Sequence, residues 1–219
     1  RMMVGRTLEV LFEKPAVQEF GPVVLEAEGL TRAGRFADIS FRLRAGEIVG
    51  MAGLVGAGRS FVAQALFGIV GLDAGQIRVN GVPVRLKSPR DAMKHGIAYV
   101  PEDRQRQGLL MATSISRNMT LPIVSQFARM GIQREARERR AAQEYVERLH
   151  IILRQVSQPA AELSGGNQQK VVLSKWLMTK PRIIILDEPT RGIDVGAKAE
   201  VHRLMGALAV EGIAILMIS

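Results

Sequence analysis

A chain of 219 residues that is 47% hydrophobic can bury one well-packed core and leaves room for a small subdomain. It has no cysteine, which excludes disulfides and thiolate metal sites, and no run approaches the roughly 18–20 apolar residues that cross a bilayer, so it reads as soluble. The net charge of +9 raises nucleic acid as a partner, but in the densest charged segment, residues 133–148, Arg134, Arg137, Arg139, Arg140 and Arg148 interleave with Glu135, Glu138, Glu144 and Glu147 in the manner of a solvated helix face.

Residues 1–20 read as the tail of a preceding domain followed by a linker, with Pro15 and Pro22 bracketing it, and a single domain is expected over 21–219. Residues 24–27 and 39–44 have strand character, the second alternating apolar and polar; residues 48–52 form a continuous small apolar run, which predicts a central buried strand. Asn80-Gly81 between residues 77–79 and 82–84 signals a hairpin, and Pro83 puts its second strand at an edge. Ser88-Pro89 opens a short helix that Gly96 stops, and residues 97–100 are a further strand. From 105 to 161 the period is mostly helical, interrupted at Ser114 and Pro122, as in a helical subdomain inserted into an α/β core. A helix then starts after Gly166, a strand fills 183–186, a helix follows Asp194, and 213–218 is a last buried strand. The fold class is α/β: a mainly parallel core sheet with an antiparallel β subdomain and an inserted helical subdomain.

Gly53-Leu54-Val55-Gly56-Ala57-Gly58-Arg59-Ser60 lies between a strand and a helix with apolar positions Val62, Ala65 and Leu66. Strand, glycine loop and helix together make a phosphate cradle: glycines let the main chain approach oxygens, and the helix start is electropositive. Downstream, an apolar strand ends in Asp187-Glu188, a magnesium ligand beside a candidate base. Leu163-Ser164-Gly165-Gly166-Asn167-Gln168-Gln169-Lys170 supplies a second set of amides at a helix start.

Over nearly the whole chain these motifs resemble the second nucleotide-binding half of bacterial sugar-importing ABC transporter ATPases, most closely those for autoinducer-2, rhamnose or ribose. The resemblance implies a P-loop NTPase fold of ABC type that binds ATP and Mg2+ and hydrolyses ATP weakly by itself. Gly53, Gly56, Ala57, Gly58, Arg59 and Ser60 would cradle the phosphates, Ser60 and Asp187 would hold the metal, and Glu188 would polarise the attacking water. Ser164, Gly165 and Gly166, with Gln168 among the nucleotide-binding residues, would complete the site of a second nucleotide-binding domain fused in the same polypeptide. The run Pro189-Thr190-Arg191-Gly192-Ile193-Asp194 matches the loop that touches that partner domain. The remaining partners implied are transmembrane permease subunits and, indirectly, a periplasmic solute-binding protein, with no nucleic acid. The expected location is the cytoplasmic face of the bacterial inner membrane.

The sequence departs from the family at several positions. Arg59 replaces the usual lysine, and Glu102 stands where a glutamine normally touches metal and water. Residues 30–35 offer no aromatic ahead of the glycine loop, which leaves Arg32 or Arg35 as a substitute for stacking on adenine. The family's histidine switch is expected beyond Ser219, and His95, His150 and His202 read as surface or packing residues. Two other readings stay open: a regulatory module that binds nucleotide without hydrolysing it, and a nucleic-acid-associated ABC ATPase.

Overall fold

The computed structural model describes residues 19–54, 56–129 and 132–219. Most of the expected tail and linker, including the basic stretch from Arg1 to Arg6, lies outside the described residues. Two four-stranded sheets carry the fold. Strands β1 (Val23–Arg32), β2 (Phe36–Arg44), β4 (Ala74–Val79) and β5 (Val82–Val84) form an antiparallel sheet in the order β2-β1-β4-β5. Asn80 and Gly81 turn the β4–β5 hairpin at φ 51° and 76°, left-handed values that match the twist of the paired strands. Pro83 sits on the edge strand, where its missing N–H costs no ladder bond.

The second sheet is parallel, in the order β3-β10-β9-β6, with β3 (Ile48–Met51), β6 (Ile97–Val100), β9 (Ile183–Asp187) and β10 (Ala214–Ile218). Strands β6 and β9 are buried along their whole length, as continuous apolar strands between covering layers must be. Strand β3 differs from the expectation: it pairs with β10 alone among the described strands, and Ile48 is 39% exposed. An apolar run reports suitability for burial, while the number of neighbours is set by tertiary pairing. Register explains the position of the site. Ile218 pairs with Met51 on one side and Asp187 on the other, and Val100 pairs with Leu186. The glycine loop, Asp187 and the segment leading to Glu102 therefore all emerge at the carboxyl edge of one sheet, where open α/β sheets bind ligands.

Helices α1 (Arg59–Leu66), α2 (Pro89–Lys94), α3 (Ile115–Thr120), α4 (Glu135–Arg148), α5 (Gly165–Leu177) and α6 (Val195–Val210) surround these sheets. Ser88 caps α2 by accepting the Asp91 amide, and Gly96, at φ 73°, ends it. Phe67 packs edge-on against Trp176 at 5.2 Å and tilted against Tyr99 at 5.6 Å, tying the end of α1 to α5 and β6. In the helical subdomain α3 and α4 lie against α5, and Ile115 and Met119 are fully buried. Ser114 caps α3, and Pro122 lies at the start of a 3-10 stretch (Leu121–Phe127). A small hairpin, β7 (Ala128–Arg129) with β8 (Ile132–Gln133), separates that stretch from α4 and has no helical signal. The charged face of α4 is laced with ion pairs: Glu135 meets Arg117 at 2.7 Å and Arg139 at 3.4 Å, and Arg148 meets Glu211 at 2.5 Å. Among the described residues no helix is long and apolar enough to cross a membrane.

Candidate functional site

The glycine loop is built by left-handed backbone. Gly56 and Gly58 have φ 87° and 84°, and a Cβ at Gly58 would stand 2.2 Å from the Arg35 carbonyl, so only glycine fits. The Gly58 carbonyl then accepts the Phe61 and Val62 amides and starts α1. Gly56, Ala57, Gly58, Arg59, Ser60, Phe61, Glu102, Glu188, Arg191 and Ile218 line a cavity of about 430 Å³. Gly53 lies just before it with exposed main chain, its α-carbon facing the Arg59 stem, and Val55 lies outside the described residues.

Asp187 forms the floor behind Ser60. Its carboxylate is 1% exposed and accepts the Ser60 hydroxyl at 3.1 Å and the Tyr99 hydroxyl at 3.0 Å. Burial pushes its pKa up, while these two hydrogen bonds and the Arg59 charge work against the rise. Burial and the neighbouring carboxylate likewise push the Tyr99 hydroxyl up, so it remains a donor. A raised carboxyl pKa means that the folded chain holds this proton to a higher pH than the unfolded chain does. The stability tied to Asp187 is therefore greatest in acid and falls as pH rises through the folded pKa, leaving the ionised group a net cost at neutral pH. Asp187→Asn is expected to raise the neutral-pH Tm of the ligand-free chain, since the amide carries no buried charge. The gain should vanish in acid, and calorimetry across pH checks it.

Glu188 follows at φ 46°, left-handed although it is not glycine and although it precedes Pro189, which already narrows its backbone. Its amide donates to the Ile218 carbonyl at 2.9 Å, and that bond holds the turn. Its carboxylate lies 3.8 Å from Arg59 Nη2, and Arg59 Nη1 donates to the Ser219 carbonyl. Across the cavity mouth Glu102 pairs with Arg191. Among the described residues no group of three or more acidic or histidine side chains can hold a metal. The Ser60–Asp187 pair nevertheless fits Mg2+, which keeps several waters and takes phosphate oxygens, needing few protein ligands.

Ser164 is exposed at the start of α5, its hydroxyl accepting from Asn167 Nδ2 at 3.0 Å. Gly166 is buried where a Cβ would stand 2.8 Å from that of Ala197, and Asp194 caps α6 by accepting the Ala197 amide at 2.9 Å. Ser164, Gly165 and Gly166 do not line the cavity beside Ser60. Gln168, expected among the nucleotide-binding residues, is buried, and its amide donates to the Leu163 and Ala160 carbonyls at 3.1 and 3.4 Å. It braces the serine–diglycine turn from beneath.

The family model described as ABC transporter matches residues 36–191. The chain belongs to the ABC transporter family. It is 55% identical over 219 residues to the ribose import ATP-binding protein RbsA of Rhodococcus jostii, covering 100% of this chain and 43% of that protein. It is 50% identical over 220 residues to a putative ribose/galactose/methyl galactoside import ATP-binding protein of Burkholderia lata, again covering 100% of this chain and 42% of the relative. The chain thus spans less than half the length of the curated relatives it matches. Among solved structures, a nucleotide-free ATP-binding cassette from an ABC transporter superposes with TM-score 0.76 at 21% identity, over 90% of this chain and 81% of that one. A cassette in its ADP conformation gives TM-score 0.75 at 20% identity over the same shares. These two show the fold, an α/β P-loop cassette.

For this ABC family member, sequence reading missed one side chain behind the cavity and one pairing on its wall. Tyr99 donates to Asp187 but reads as one more apolar strand position, and Arg191 reads only as part of the loop expected to touch a partner domain, with nothing in sequence to pair it with Glu102. The candidates for adenine stacking are otherwise engaged. Arg32 is held by Asp73 at 2.7 Å, and the Arg35 guanidinium lies 4.1 Å over the Phe61 ring.

Proposed function

We propose that the chain is an ATP-binding part of a sugar importer, working within a longer polypeptide at the cytoplasmic face of a bacterial inner membrane. The observation that carries the reading is the Ser60–Asp187 pair at 3.1 Å, set at the carboxyl edge of the parallel sheet against left-handed Gly56 and Gly58. That is the arrangement required to hold a triphosphate with Mg2+. Bound metal supplies charge neutralisation at the phosphates. The chain's own residues do the rest: loop amides orient the phosphates, and the Glu188 carboxylate accepts a proton from the attacking water. Ribose and related sugars are the solutes named for the relatives, so a pentose or hexose is the expected cargo, delivered by a solute-binding protein to permease subunits.

Within this reading the chain forms two half-sites. Its own loop makes a weak one, degenerate at Arg59 and Glu102, and its exposed Ser164 turn completes the site of a second nucleotide-binding domain. A second reading, a module that binds ATP without turning it over, is favoured by one contact, Arg59 against Glu188 at 3.8 Å. Calorimetric titration of the chain with Mg-ATP tests the common ground. Binding is expected, weakened by about tenfold or more in Ser60→Ala, which loses a hydrogen bond near charged groups. Absence of binding by the wild-type chain sinks both readings. Uptake of labelled ribose by cells with and without the intact polypeptide tests the cargo.

A further inference from the structure

Two residues beyond Glu102, Arg104 opens a π-helical turn (Arg104–Gly108), whose start is fixed by Asp103 Oδ1 accepting the Gln105 and Arg106 amides, each at 3.1 Å. The Arg104 guanidinium reaches the loop after β9: Nη1 donates to the Arg191 carbonyl at 2.8 Å and Nη2 to the Gly192 carbonyl at 3.0 Å. Arg191 returns the grip through its own side chain, which pairs with Glu102. Two short segments thus hold each other by a main-chain clasp and a side-chain clasp in opposite directions.

The serine–diglycine turn rests on this clasp. A Cβ at Gly165 would lie 2.8 Å from Arg104 Nη2 and 3.2 Å from the Gly192 carbonyl. From the other side Gln105 Nε2 donates to Gln168 Oε1 at 3.3 Å, and Lys175 Nζ donates to the Gly108 carbonyl at 3.0 Å, fastening the π-turn to α5. Arg104 Nε is buried without a partner, a state that folds rarely keep, so the side chain is set for its two terminal nitrogens at the expense of the third. Lysine is not equivalent: it lacks two separate nitrogens held in one plane, each placed on its own carbonyl as Nη1 and Nη2 are here.

We propose that Arg104 is a positioning residue that joins the Glu102 wall of the chain's own nucleotide cavity to the 191–193 loop and the 164–166 turn. Glu102 and Arg191 both line the cavity, so a triphosphate entering it meets their ion pair first. Arg104 carries the resulting shift to the Arg191 and Gly192 carbonyls and to Gly165, the surface offered to a partner's nucleotide. The coupling part rests on the ATP reading above; the clasp itself does not.

Amide hydrogen exchange on the chain, wild type and Arg104→Lys, separates the two. Without nucleotide, Arg104→Lys should speed exchange by about tenfold or more at the hydrogen-bonded amides of both segments, Gln168 (to the Ser164 carbonyl) and Arg191 (to the Glu188 carbonyl), because a charge-assisted fork is lost, while the core of β9 is unchanged. Unchanged exchange, or a rise in one segment alone, overturns the clasp. With Mg-ATP, residues 56–60 should be protected in both proteins, and the 165–168 segment should respond in wild type but not in Arg104→Lys. An equal response in both overturns the coupling. If residues 56–60 gain no protection in either protein, the ATP reading fails, and the nucleotide-free comparison still decides the clasp. A double-variant cycle adds an independent check: the stability loss from Gly165→Ala should be smaller in an Arg104→Ala background, and strict additivity contradicts the packing of Gly165 on the guanidinium.

Discussion

Replacing Arg59 by lysine in the intact polypeptide is expected to raise ATP turnover at this site by about a hundredfold, with ATP affinity changed only a few-fold. Both side chains are cationic, so attraction for a triphosphate survives the exchange. Their reach differs. The Arg59 guanidinium lies within 3.8 Å of Glu188 and also donates to the Ser219 carbonyl, so the carboxylate proposed above to activate water is held by a cation of its own loop. A lysine ammonium is compact and fits between phosphate oxygens, where the planar fork is too large. The loss of one ion pair with a 30% exposed carboxylate costs little stability, since such pairs contribute about 0–1 kcal/mol. Single-turnover hydrolysis with Mg-ATP measures the effect, and adding Glu188→Gln should return the rate to the wild-type level. An unchanged rate in Arg59→Lys favours the module that binds without hydrolysing.

The parts of the site that local chemistry dictates were legible before any coordinates. Glycine spacing between a strand and a helix announces the loop, an apolar strand running into Asp187-Glu188 announces the acidic pair, and Asn80-Gly81 and Ser88-Pro89 announce their turn and cap. What depends on partners distant in the chain was not legible. Strand β1 runs ten residues, well past the four expected, because Gly29 at φ 58° is absorbed in an irregularity of the ladder that looks like a strand end in sequence. The exposure of β3 and the hairpin between the 3-10 stretch and α4 follow from what packs beside them. Gln168 illustrates the same limit at one side chain. A polar residue two positions after a diglycine looks available to phosphate, but the helical turn directs it at the Leu163 carbonyl. Arg104 and Arg191 are invisible as a pair until the 101–104 segment and the loop after β9 are seen to meet.

If the chain works as proposed above, Ser164→Arg is expected to lower transport-coupled ATP hydrolysis by the intact polypeptide about a hundredfold to a thousandfold, the usual consequence of losing a preorganised donor at developing charge. The fold should tolerate the change. Ser164 is exposed, its side chain makes no capping bond to the α5 main chain, and the hydroxyl's contact is with Asn167, so the cost is one surface hydrogen bond plus an unfavourable charge at a helix start of about 0.3–1 kcal/mol. The cavity beside Ser60 contains none of residues 164–166, so Mg-ATP binding by the isolated chain should be unaltered. This combination, an intact local site with lost overall turnover, is the signature of a surface that serves a neighbouring domain's nucleotide. Loss of binding in the isolated chain would instead place Ser164 in the chain's own pocket. Normal transport by the variant would remove the turn from the nucleotide chemistry altogether, leaving the glycines at 165 and 166 as packing requirements against Arg104 and Ala197.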